Sequence, residues 1–396
     1  MTMLDGLAPQ APDKILALMQ AFRDDPRPGK VDLGVGVYKD ASGNTPVMRA
    51  VKAAEARIHE AQDTKAYTGL AGDPGFAEAL SGLLLGADAP RDRLAMAATP
   101  GGTGAVRQAM ELIRLAGPGA TLWLSDPTWP NHPAIAAHVG LNVRGYRYFD
   151  AATGGVDFDA MMDDLAGLAA GDVVLLHGCC HNPTGADLTP PQWEAVTARL
   201  VEAGATPFVD IAYQGFGEGL DADAAGLRHL IAHVPEALVA ASCSKNFGIY
   251  RERTGLLIAL SPTPRDLAAA QGAVSALNRL NYSFPPDHGA RVVQTILTDD
   301  ALRADWTAEL EGMRQSMQDL RARLADALRD RTGSDRFGFL AGHRGMFSRL
   351  GATPGQVETM RRDHGVYMVS DSRMNVAGLN AATVPVLADA IVAAGV

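Results

Sequence analysis

The sequence predicts an α/β fold, a large domain on a mostly parallel sheet joined to a smaller α+β domain. Three observations carry this. From about residue 48, short apolar runs alternate with stretches of helical spacing, the pattern of strand–helix–strand units. Most of these runs stop at loops rich in Gly, Pro and polar side chains, and open α/β sheets bind ligands at such strand ends. Residues 301–332 then read as one long helix, and after Gly333 the texture changes to shorter mixed elements. The 396 residues are enough for two domains at the usual ~100–200 residues each.

In order, residues 1–14 read as irregular, with Pro9 and Pro12, and Lys14 to Phe22 has helical apolar spacing. Val31 to Tyr38 is an extended piece in which Gly34 and Gly36 either let a backbone or ligand approach closely or mark a loop. The segment Ala97 to Ala105, with Gly101-Gly102-Thr103, opens a helix read as Ala105 to Leu115. Glycines at a helix start expose free N–H groups and the positive end of the dipole, which suits an anion. Thr121 to Ser125 reads as a strand ending in a turn that exposes Trp129, either to stack on a flat ring or to join the core.

Asp172 to Leu176 reads as the next strand, and Asn182 follows it, held extended by Pro183. A helix over Pro191 to Ala203 leads to the strand Thr206 to Asp210, with Tyr213 three residues on. Asp210 is either a helix N-cap, the default for such a residue, or the counter-ion of a buried cation. Beyond Gly333, Gly345–Leu350, Val366–Val369 and Met374–Leu379 read as short elements between helices, and Val31–Tyr38 could join them.

The richest stretch is Ala241 to Arg253. Apolar runs at Ala237–Ala241 and Leu256–Leu260 read as buried strands on either side. Lys245 then stands just past a strand end, with Ser242 and Ser244 before it and Arg253 eight residues on. A lysine whose pKa is lowered attacks carbonyls, and hydroxyls beside an arginine suit a phosphate monoester. Together they point to pyridoxal 5'-phosphate (PLP), against the commoner fate of a solvated surface lysine.

Composition excludes several classes. A net charge of −10 without a long basic run argues against a nucleic-acid partner. No apolar stretch approaches ~20 residues, and no basic–apolar leader opens the chain, so neither membrane nor secretion is expected. Cys179, Cys180 and Cys243 are too few and too clustered for a disulfide framework, which fits a reducing cytoplasm. No ligand-spaced cluster predicts a metal.

Taken together, the motifs from Leu33-Gly34-Val35-Gly36-Val37-Tyr38 to Arg373-Met374-Asn375-Val376-Ala377-Gly378-Leu379 resemble the aspartate/aromatic aminotransferases, the fold type I PLP enzymes. The resemblance is closest to the bacterial aromatic-amino-acid (tyrosine) aminotransferases. It implies a seven-stranded, mostly parallel sheet in a large PLP-binding domain at 48–313. An N-terminal arm at 1–14 and a small domain split between 15–47 and 314–396 would complete the chain. It implies that Lys245 is the Schiff-base lysine, and that Gly102, Thr103, Ser242 and Arg253 hold the phosphate. Tyr67 would reach that phosphate from a partner subunit, Asp210 would pair with the pyridine nitrogen, and His177 would support Asp210. Asn182 and Tyr213 would bond the phenolic oxygen, and Trp129 would stack on the ring. Arg373 would grip the substrate α-carboxylate with Gly36 nearby, and Arg279 would meet a distal carboxylate across the dimer interface.

The expected activity is ping-pong transfer of the amino group of Tyr, Phe, Trp, aspartate or glutamate to a 2-oxo acid such as 2-oxoglutarate, in a homodimer with shared sites and a role in amino-acid metabolism. Ala66 and Phe284 stand where aspartate-type relatives usually carry Asn, which favours an apolar ring, and a plain aspartate aminotransferase is the alternative. A PLP-binding transcription regulator would need a DNA-binding head, and only about 14 residues precede the first helix. The paired arginines favour transamination over a PLP lyase or decarboxylase.

Overall fold

The computed structural model describes residues 2–9 and 13–396. Its centre is a seven-stranded sheet. From edge to edge the strands are Leu94–Pro100, Thr254–Leu260, Ala237–Ser242, Thr206–Ile211, Val173–His177, Thr121–Asp126 and Asn142–Arg147. Thr254–Leu260 runs antiparallel to both neighbours, and the remaining pairs are parallel. Successive side chains serve opposite faces: Val209 and Val239 join one core, Phe208 and Ala240 another. Burial on both faces is why the central strands read as continuous apolar runs. The edge strand Asn142–Arg147 is mostly exposed and carries no such run, so the sequence gives it no strand signal.

The helix after the first sheet strand spans Gly101–Ala116 and begins four residues before the expected Ala105. Glycine's poor helix propensity hides this start. Close packing requires it: a Cβ on Gly102 would lie 2.7 Å from that of Ser242. The helix therefore sets its first turn against the end of the strand Ala237–Ser242. Its buried Ala105, Val106, Ala109, Met110 and Ile113 form the expected apolar stripe.

A second core gathers Val31 and Leu33 with residues such as Leu324, Leu328, Val366, Leu387 and Ile391. Strand Val31–Asp32 pairs in parallel with Val366–Tyr367, and Phe347–Arg349 pairs antiparallel with Arg373–Asn375. The 33-residue helix Asp300–Thr332 spans both cores. Trp306, Leu310, Met313 and Met317 belong to the larger one, Leu320, Leu324 and Leu328 to the second. Near the N-terminus, Met3–Gly6 makes one 3-10 turn with no buried side chain, and Pro12 lies outside the described residues.

Candidate active site

The loops that follow the sheet strands meet over an open cleft. Lys245 stands three residues past the strand Ala237–Ser242, its Nζ 5.0 Å from the centre of the Tyr213 ring. Burial pulls the Lys245 ammonium down to about 8; Asp210 opposes that shift and Arg253 adds to it. The amine is thus closer to its nucleophilic form at neutral pH than a surface lysine is.

One end of the cleft is a cup for an anion, lined by Gly102, Thr103, Ser242, Ser244 and Arg253. Gly102 and Thr103 lie in the first turn of the Gly101–Ala116 helix, where free N–H groups and the dipole favour negative charge. Arg253 adopts a left-handed backbone (φ 52°) and donates from Nη1 to Ser244 Oγ (3.4 Å) and to the Tyr250 carbonyl (3.3 Å). A Cβ on Gly101 would sit 2.5 Å from Arg253 Nη2, so glycine is what admits the guanidinium.

The other end is acidic. Asp210 is not the helix N-cap that its sequence position suggests: the next helix begins at Leu220 and has Gly219 at its cap. Its carboxylate instead accepts from His132 Nε2 at 3.0 Å. That bond fixes Nε2 as a donor, and Nδ1 lies 2.8 Å from Thr128 Oγ1. Burial pushes Asp210 up, but the His132 hydrogen bond and, behind it, the Lys245 charge outweigh it, and the carboxyl lies below its ordinary value. The sequence names His177 as a support of Asp210, and the structure puts His132 between them. His132 makes the direct bond, and His177 Nε2 reaches the same Thr128 hydroxyl (3.2 Å) one step back. Burial pulls His177 down to about 3, so it stays neutral.

Between the two ends, Asn182 Nδ2 lies 3.5 Å from the Tyr213 hydroxyl, while Asn182 Oδ1 is buried without a partner. The Asn182–Pro183 bond is cis. Trp129 lines the cleft and stands edge-on to His132, with centroids 5.2 Å apart. A flat, phosphorylated, hydrogen-bonding ring fits these residues. The glycine cradle and Arg253 suit its phosphate, the orphaned Asn182 oxygen and Tyr213 a polar substituent, Asp210 a protonated ring nitrogen, and Lys245 an aldehyde carbon.

Arg373 lies beside this group. It is buried, donates from Nη2 to the Gly34 carbonyl (3.0 Å), and leaves Nε without a partner. Its guanidinium sits 4.5 Å from the centre of the Phe347 ring, which lies perpendicular to the Tyr213 ring and whose tip fills the space a Gly36 Cβ would need. Tyr67 and Arg279 are elsewhere. Tyr67 is 84% exposed and stacks on Phe284 at 4.7 Å. Arg279 lies 5.8 Å from the same ring and donates to Ser283 Oγ at 2.6 Å. Neither lines the cleft of its own chain.

Sequence reasoning passed over two residues. His132 is 78 positions from Asp210 and no spacing links them; Phe347 reads only as an apolar residue in a short strand. Behind the cleft, the Cys179 and Cys180 sulfurs and an Asp223 oxygen lie within 4.8 Å of one another. Asp223 already accepts from the N–H groups of Gly215, Gly217 and Glu218, which makes it a loop clasp.

Fold and cleft together define a transaminase, and the chain belongs to the family "Aminotransferase class I and II", whose model matches residues 28–391. Over 394 residues and the full length of both chains it is 60% identical to the aromatic-amino-acid aminotransferase of Paracoccus denitrificans. It is 44% identical over 394 residues to the aspartate aminotransferase of Escherichia coli, covering 99% of this chain and 100% of that one. Among solved structures, an aromatic amino acid aminotransferase with 3-indolebutyric acid superposes with a TM-score of 0.98 at 60% identity over all of both chains. An aromatic-amino-acid aminotransferase from Burkholderia pseudomallei, covalently bound to pyridoxal phosphate, gives 0.96 at 40% identity, again over all of both chains. The protein is therefore an aminotransferase with a fold type I architecture, and no helix among its described residues is long and apolar enough to cross a membrane.

Proposed function

We propose that this aminotransferase uses PLP, acts on tyrosine, phenylalanine and tryptophan as well as aspartate and glutamate, and passes the amino group to a 2-oxo acid such as 2-oxoglutarate with ping-pong kinetics. The observation that carries the reading is Lys245: a depressed amine facing Tyr213, in a cleft with an anion cup at one end and Asp210 at the other. When bound, PLP supplies the electron sink that makes a substrate Cα proton removable.

The chain's own residues do the rest. Gly102, Thr103, Ser242 and Arg253 hold the phosphate, and Asp210, kept ionised by His132, keeps the ring nitrogen protonated. Lys245 Nζ takes the proton from Cα and returns it, acid–base help typically worth ~10²–10⁴-fold. The Arg373 fork binds both oxygens of the α-carboxylate common to all these substrates. Asn182 and Tyr213 orient the ring, and Trp129 covers it.

Substrate range rests on other residues. The 60% identity to an aromatic-amino-acid enzyme supports aromatic substrates, as do Ala66 and Phe284 near the side-chain end. Arg279 supports the dicarboxylates. Tyr67 and Arg279 stand at the surface, outside their own cleft, which supports a two-fold dimer in which each chain completes its partner's site. The acidic chain and its few, buried, free cysteines support a cytoplasmic setting.

The deciding assay is PLP-loaded protein with 2-oxoglutarate and a panel of amino acids. Turnover of both phenylalanine and aspartate is expected. No measurable phenylalanine turnover would leave a plain aspartate aminotransferase.

A further inference from the structure

Arg321 is the largest buried cation in the protein that the site does not use. It lies on the long helix Asp300–Thr332, is 1% exposed, and forms no ion pair among the described residues. Burial pulls its guanidinium down to about 9. A buried charge without a counter-ion is costly and persists only where its hydrogen bonds fix something.

Among the described residues, its hydrogen bonds all go to one short segment. Nη1 donates to Ser348 Oγ (2.5 Å) and the Leu340 carbonyl (3.4 Å); Nη2 donates to the carbonyls of Gly345 (2.8 Å), Phe347 (2.7 Å) and Arg344 (3.4 Å). His343 Nδ1 shares the Ser348 hydroxyl at 2.9 Å. The pinned segment threads between the loop that carries Asn182 and the strand that carries Arg373. Arg344 N–H donates to the Gly185 carbonyl (2.8 Å), and Val376 N–H to the Met346 carbonyl (2.7 Å). At its centre the Phe347 ring underlies the Arg373 guanidinium, lies perpendicular to the Tyr213 ring and fills the space beside Gly36.

We infer that Arg321 is a positioning residue for substrate binding: by clamping the Phe347 main chain it seats the Phe347 ring as the platform that aims Arg373 at the substrate α-carboxylate. The inference rests on the proposed role of Arg373. Its logic is one of direction. Among the described residues, Arg373 has one hydrogen bond from its guanidinium, to Gly34, and an unpartnered Nε, so hydrogen bonding alone leaves it free to turn. The flat face of Phe347 restricts it to a plane, and the Arg321 fork holds that face still. Lysine cannot replace the fork, because its single ammonium cannot span four carbonyls and a hydroxyl. Every α-amino acid would feel the loss equally, since the platform serves the end of the substrate that all of them share.

The test uses PLP-loaded enzyme and two variants, Arg321→Lys and Phe347→Leu, with Arg373→Ala as reference. Calorimetry measures the affinity of 3-phenylpropionate, a carboxylate with no amino group to transfer, and steady-state kinetics gives kcat and KM for phenylalanine and aspartate. Each of the two variants should weaken 3-phenylpropionate about tenfold, the order of a desolvated cation–π contact, and raise both KM values by a similar factor. Their kcat should stay within about threefold, and the double variant should be little worse than the worse single, since both act through one ring. The pH titration of the visible absorbance band should not move.

A general packing defect would instead lower kcat or the amount of bound PLP and leave the two KM values alone. That result, or 3-phenylpropionate affinity within about twofold of wild type in Arg321→Lys, overturns the inference. Should Arg321→Lys not fold, Phe347→Leu decides alone, because it leaves the clamp intact and removes only the platform; unchanged affinity there also overturns it. If Arg373→Ala itself binds 3-phenylpropionate normally, the fault lies with the assignment of Arg373.

Discussion

The cleft floor and the surface around Tyr67 are built to opposite rules. On the floor, Lys245, Asp210, Tyr213 and Asn182 are buried or half-buried and tied to one another through His132, Thr128 and the sheet ends. At the surface, Tyr67, Phe284 and Arg279 form a stack of their own, with Leu280 81% exposed alongside. The floor holds groups for proton transfer and an anion within one chain. The surface stack holds a cation and two rings that touch nothing in that chain's cleft. The difference teaches that the two groups are separable here: the groups for proton transfer gather in one cleft, and the proposed side-chain selector Arg279 stands outside it.

The largest effect should come from breaking the floor. Lys245→Ala should still bind PLP through the cup of Gly102, Thr103, Ser242 and Arg253, but lose turnover on every substrate by about 10⁴-fold or more, as expected when a proton-transfer base and covalent anchor go together. Single-turnover kinetics with phenylalanine and with aspartate checks this, and borohydride reduction of the wild type should label Lys245 alone. A variant that lost only aspartate turnover would merge the two regions.

The stack offers the converse cut. Arg279→Ala should lower kcat/KM for aspartate by at least about 100-fold, the order of a lost buried ion-pair partner, and that for phenylalanine far less. Equal losses on both would make Arg279 structural. Because the stack should serve a neighbour's cleft, mixing Arg373→Ala chains with Tyr67→Ala/Arg279→Ala chains, each defective on aspartate, should restore part of the aspartate activity. Sedimentation of a monomeric, fully active enzyme would contradict this.

The smallest and sharpest effect is electrostatic. In PLP-free protein the Lys245 amine should titrate near pH 8, read by pH-dependent labelling and mass spectrometry. The Asp210 charge holds that value up, so Asp210→Asn should move the midpoint lower and leave more free amine at pH 7. An upward shift would show that Asp210 does not face Lys245 electrostatically.

These two rules also decide what the sequence reveals. Buried runs such as Ala237–Ser242 and Thr254–Leu260 are legible because burial on both faces imposes an apolar string. Lys245, Asp210 and Asn182 are legible because each sits at the end of such a run. The edge strand Asn142–Arg147 is exposed on both faces except at Tyr146 and leaves no run to read. His132 and Phe347 act through contacts 78 and 26 residues distant, to Asp210 and from Phe347 to Arg373, and spacing records neither. The helix start at Gly101 and Gly102 is hidden for a local reason: close approach to Arg253 and Ser242 demands glycine, and glycine reads as a break.

The helix Asp300–Thr332 carries a last consequence. Its first half is packed into the larger core and its second half into the smaller one, without a glycine or proline after Gly312 to divide them. Neither core can come apart alone without stripping half of a continuous hydrogen-bonded rod, so the two should melt as a single cooperative unit. The same rod carries Arg321 in its second half, so the fidelity of substrate seating is tied to the integrity of the whole molecule and cannot fray separately from it.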